Sequence, residues 1–148
     1  MSEIRVPTEA DWRSEPWGID TPWAYRHFFG KSSAEAFDLF VENALFYQED
    51  IMFMPLACFN YYVHAYMDYL LSDKSAGDAD GASCFFGIVE VRCHDICAGG
   101  ESLRRRVREV LDRLRNGERW YDAQPEIDGQ FSARADEATR LIENCASG

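Results

Sequence analysis

The segment Ala82–Ala98, ASCFFGIVEVRCHDICA, decides the fold class. Two periodicities compete in it. Val89, Val91 and Cys93 alternate with Glu90 and Arg92, as in a half-buried strand, whereas Ala82, Phe85, Phe86, Val89, Cys93 and Ile96 recur at helical spacing. Length separates the two: about seventeen residues with Gly87 as the sole turn signal overrun an ordinary strand and suit a helix. A strand would also need a partner. The only other β-rich run, Ile51-Met52-Phe53-Met54, is short and stopped by Pro55. The segment reads as a helix, and the chain as all-α.

The flanking sequence agrees. Upstream, SDKSAGDADG from Ser72 to Gly81 has the composition of a loop. Before it, Phe59, Tyr62, Val63, Tyr66, Met67 and Leu70 fall at helical spacing from a start near Pro55. Tyr61, Ala65 and Tyr69 make that helix apolar nearly all round, which places it centrally. Ser32 and Glu35 form a capping box ahead of Phe37, Phe40, Val41, Ala44, Leu45 and Gln48, predicting a helix from about Ser33 to Tyr47. Downstream, Leu103, Val107, Val110, Leu111 and Leu114 mark a helix closed by Asn116-Gly117. Residues 117–131 read as an irregular link pinned by Trp120, Tyr121 and Phe131, and a last helix runs from about Ala133 to Cys145.

The N-terminus is different in kind. It holds Trp12, Trp17 and Trp23, with Thr8 and Asp11 spaced for a single capped turn. Thr21 as cap, Pro22 at the first helical position and Gly30 just past the end predict a short helix from Pro22 to Phe29. Each large ring gains roughly 1.5–3 kcal/mol on burial, so this arm must pack on something. The expected architecture is one helical-bundle-like domain over residues 1–148, with about five long helices and residues 1–31 as an aromatic-rich arm lying on it.

Charge and composition bound the function. Lys plus Arg is 15 against 26 Asp plus Glu, a net charge of −11, which disfavours nucleic acid and anionic membranes as partners. The opening MSEIRVPTEADW lacks the basic start and apolar run of a signal peptide, and no segment has the roughly twenty apolar residues of a membrane span. The five cysteines, an odd number without paired spacing, are expected as free thiols in a reducing cytoplasm.

Four constellations are candidates for chemistry. Asn60, His64 and Asp68 share one side of a helix, as do Glu90 and His94 on the next. Convergence of His64, Asp68, Glu90 and His94 would bind a divalent metal or share a proton. The Glu-x-x-His spacing of di-iron bundles is absent, and a solvated polar strip explains both stripes as well. Cys93-His94-x-x-Cys97 lacks the second donor pair of a structural zinc site. Asp78-Ala79-Asp80-Gly81 fails at both ends of a calcium-loop register and suits an acidic helix cap. Arg104, Arg105, Arg108 and Arg115 lie on a basic helix. Its i,i+4 pairs Glu101–Arg105, Arg105–Glu109, Arg108–Asp112 and Glu109–Arg113 describe a salt-bridge-laced face. Together with Trp12 and Trp17, those arginines are the expected partner-binding residues.

No phosphate loop, dinucleotide fingerprint, nucleophile elbow or zincin motif occurs. No cofactor is expected. The reading is a small acidic cytoplasmic protein-interaction module, of inhibitor or immunity-like type, whose partner is another protein or a second copy of the chain. The likeness to immunity proteins is one of composition alone. The alternative is a metal-binding or acid–base enzyme built on the four His and carboxylate residues.

Overall fold

The computed structural model describes the backbone of residues 5–147 and the side chains of residues 5–144. The described chain is all-α, with no strand. In order it forms α1 (Glu9–Trp12), α2 (Thr21–Phe28), α3 (Ser33–Met52), α4 (Leu56–Leu71), a 3₁₀ turn (Asp73–Ser75), α5 (Ala79–Val91), α6 (Cys93–Ala98), α7 (Glu101–Arg115), α8 (Glu118–Tyr121), α9 (Pro125–Asp128) and α10 (Phe131–Ser147). Helices therefore outnumber the five expected, because the short α8 and α9 occupy a segment that reads as an irregular link and residues 82–98 form two helices rather than one. Two compact units divide the chain, Met1–Tyr69 and Leu70–Gly148, with the boundary in the last turn of α4.

In the first unit, α1 is held by the Thr8–Asp11 capping box. α2 begins at Thr21, one residue earlier than expected. Thr21 is not the cap: its Oγ1 accepts from Gly18 N at 3.1 Å and donates to the Phe53 carbonyl at 3.0 Å. That hydroxyl ties the start of α2 to the end of α3. The aromatic arm packs on α3 and α4 through Trp12 and Phe28, both fully buried. The Tyr62 ring lies 6.3 Å from Trp12 and 5.0 Å from Phe28, and its hydroxyl is 2.8 and 2.7 Å from the carbonyls of Phe28 and Lys31. Burial raises the pKa of that phenol well above its ordinary value.

The main correction concerns α3, which runs past Tyr47 to Met52 and is broken at Asn43 (φ −164°, ψ 80°). Asn43 Oδ1 accepts from Phe46 N at 3.1 Å. That is an N-cap contact to the third residue of a new helical segment, a role Asn prefers to a helix interior. The inward face is narrower than expected. Ala36, Phe40, Ala44, Gln48 and Ile51 are buried, whereas Val41 and Leu45 of the expected stripe are exposed.

In the second unit, the segment read as one helix over Ala82–Ala98 is two, α5 and α6, separated at Arg92 (φ −106°, ψ 22°). α5 also starts earlier, at Ala79, because Asp78 Oδ1 caps Gly81 N at 3.0 Å. α5, α6 and α7 all pack against α10. The link contains α8 and α9; Tyr121 and Phe131 are buried in it, but Trp120 is half out, with Arg113 5.3 Å from its ring centroid. Gly117 precedes α8 without room for a side chain, since a Cβ there would sit 2.7 Å from the Arg113 carbonyl.

Candidate functional site

The site lies in the first unit, where α2 meets the second segment of α3. Asp20, Trp23 and His27 fall at i, i+3 and i+7 along α2 and its cap. Phe46, Glu49, Asp50 and Phe53 fall at i, i+3, i+4 and i+7 along α3 and its end. These two stripes line a cavity of about 330 Å³. The Thr21–Phe53 hydrogen bond closes one end of the helix pair, and Phe28, 6.2 Å from Tyr47 and 5.9 Å from Phe40, packs its other end.

His27 Nδ1 lies 2.7 Å from Asp50 Oδ2. A carboxylate only accepts, so Nδ1 donates the proton of this hydrogen bond to the ionised Asp50. The imidazole is set among rings: Phe46 at 5.3 Å, Tyr47 at 5.5 Å edge-on and Trp23 at 6.4 Å. Asp50 is buried, and that desolvation raises its pKa above the ordinary carboxylate value; the His27 hydrogen bond offsets part of the rise and neighbouring Glu49 adds to it. Asp20 and Glu49 are exposed at the rim.

The lining holds no serine, threonine, cysteine or lysine. The His–Asp pair therefore faces no nucleophile of its own to activate. What the site offers is aromatic surface, three carboxylates and one imidazole in a concave setting.

The residues singled out from sequence lie elsewhere. His64 and Asp68 are on α4, exposed Glu90 is on α5 and exposed His94 is on α6. The helix break at Arg92 means that Glu90 and His94 do not continue one helical face. Among the described residues no three His, Cys, Asp or Glu side chains are grouped to hold a metal ion.

Trp12 is fully buried and makes core contacts, which removes it as a surface for a partner. Trp17 is half-buried, donates from Nε1 to the Trp12 carbonyl at 2.6 Å and is covered by the Arg13 guanidinium 3.9 Å from its ring centroid.

On α7 the ion pairs differ from those expected by spacing. Glu101 pairs with Arg104 at 3.0 Å and Arg108 at 2.8 Å, and Arg115 joins Asp112 at 2.7 Å and Asp136 at 2.8 Å. Arg104 Nη1 also donates to the Cys97 carbonyl at 2.5 Å. Arg105 is exposed. Three of the four arginines are thus engaged within their own unit.

The cysteines divide. Cys58, Cys84 and Cys93 are free thiols, and burial pushes Cys58 up to about 12. Cys97 is disulfide-bonded, which corrects the expectation of five free thiols; the side chain of Cys145 lies outside the described residues. No helix among the described residues is long and apolar enough to cross a membrane.

His27, Asp50, Glu49 and Asp20 escaped the sequence reading. Their signal is the pair of one-face stripes, and the second is visible only when α3 continues beyond Tyr47. Comparison with protein-family models, curated proteins and solved structures finds no match to this chain.

Proposed function

We propose that this chain is a protein-interaction module that binds a basic partner through the α2–α3 face of its first unit. One observation carries the reading: Trp23 and Phe46, 54% and 52% exposed, flank a cavity whose remaining polar lining is acidic apart from His27. Large rings are rarely left half in water beside a concavity without a use, and aromatic anchors in a pocket with a charged rim are the usual energetic centre of an interface. The net charge of −11 supports a basic partner, through faster encounter and through rejection of acidic competitors. The arginines of α7 support the reading less, because intramolecular carboxylates already occupy most of them.

The test is a titration of the isotope-labelled full chain with lysine-rich and glutamate-rich peptides of equal length. The lysine-rich peptide binds, with an affinity that falls as salt rises, and shifts resonances of α2 and of residues 44–53. Equal binding of the two peptides, or shifts confined to α7 and α10, defeats the proposal.

A further inference from the structure

The cavity restricts what part of a basic partner it admits. At about 330 Å³ it is at the small end of ligand pockets and matches one extended side chain rather than a nucleotide or a folded segment. Its walls combine the rings of Trp23, Phe46 and Phe53 with the carboxylates of Asp20, Glu49 and Asp50. Aromatic faces with nearby carboxylates favour organic cations over neutral apolar groups, because the ring quadrupole and the fixed negative charge act in the same direction.

We infer that this cavity holds the alkylammonium end of a lysine side chain, methylated or not, contributed by the basic partner; the inference rests on the interaction reading above. Ammonium suits the site better than guanidinium. One oxygen of Asp50, the most recessed carboxylate, is already engaged by His27, so the bidentate fork that arginine prefers is unavailable there. A compact point charge needs only the remaining oxygen. Burial raises the Asp50 pKa despite the His27 hydrogen bond, and an entering cation favours the ionised form.

The experiment uses the full chain and four peptides identical except at one central position: lysine, trimethyllysine, arginine or the neutral norleucine. Free n-butylammonium is titrated separately. The lysine and trimethyllysine peptides are expected to bind about threefold to thirtyfold more tightly than the norleucine peptide. Trp23→Ala removes that preference and Trp23→Phe restores part of it. Trp23 is more than half exposed, so neither variant empties the core, and circular dichroism checks that each keeps the parent's fold. Butylammonium alone shifts the Trp23 indole and His27 ring resonances and displaces the lysine peptide.

Equal binding of the norleucine peptide, tighter binding of the arginine peptide, or indifference to Trp23→Ala overturns the inference. The two readings separate cleanly. If no peptide binds but butylammonium still shifts the cavity resonances, the interaction module and the lysine occupant fall together, and the pocket takes a free amine instead. If lysine-rich peptides bind while butylammonium leaves the cavity unchanged, the module stands and the inference falls.

Discussion

Asp50 contributes to stability with the sign opposite to that of a salt-bridged surface carboxylate. Its folded pKa is raised, chiefly by burial, so the folded state holds its proton more tightly than the unfolded chain does. Its contribution is neutral when both states are protonated. Stability is then lost as pH rises from the ordinary carboxylate value through the raised one, and the ionised group remains a cost at neutral pH. Asp50→Asn removes that cost while keeping an oxygen to accept from His27 Nδ1. The variant is expected to melt at a higher temperature than the parent at pH 7, with the difference shrinking toward about pH 4. Thermal unfolding followed by circular dichroism over that range checks it; a lower melting temperature at pH 7 would mean that attraction to His27 outweighs desolvation.

At the scale of elements, Asn43 determines where the site's second wall points. Its side chain caps the Phe46 amide and starts a new segment, which brings Phe46, Glu49 and Asp50 toward α2. Asn43→Ala removes the cap and favours an unbroken helix. The expected loss is about 1 kcal/mol of stability by denaturant unfolding, together with a weaker response of the His27 ring to butylammonium. Asn43→Ser, which restores a capping oxygen, recovers most of both. A variant as stable as the parent would show that tertiary packing alone sets the break. This element also marks the limit of what the sequence conveys. The capping boxes at Thr8 and Ser32 and the apolar helix after Pro55 are legible because each is local, written within a few residues. The interior break was not, because Asn43 sits amid Phe40, Ala44 and Gln48, whose spacing alone describes a continuous helix.

For the molecule as a whole, the helical class was legible because residues 82–98 run too long without a turn signal for an ordinary strand, even though Arg92 divides them into two helices. The site was not, because His27 and Asp50, 23 positions apart in the chain, meet through a fold no local spacing encodes. The arm is the part of the fold whose removal is most telling. Truncation before Lys31 deletes Trp12 and Phe28, both fully buried, and leaves the faces of Phe40 and Tyr62 without cover. Losing one such aromatic from a core costs about 3–5 kcal/mol, so the truncated chain is expected to aggregate or to lose its cooperative melting transition. A soluble truncated protein with the parent's melting temperature would show that the arm is dispensable to the core.

The break at Asn43 also makes the two walls of the cavity depend on each other. It divides the twenty residues of α3 into two runs, each shorter than the roughly 12–15 residues at which even favourable sequences hold helix in water. The run carrying Phe46, Glu49 and Asp50 is therefore too short to hold helix alone, and its shape depends on α2 through the Thr21–Phe53 bond and the rings around His27. Neither wall of the cavity is self-sufficient, and whatever loosens one loosens the other.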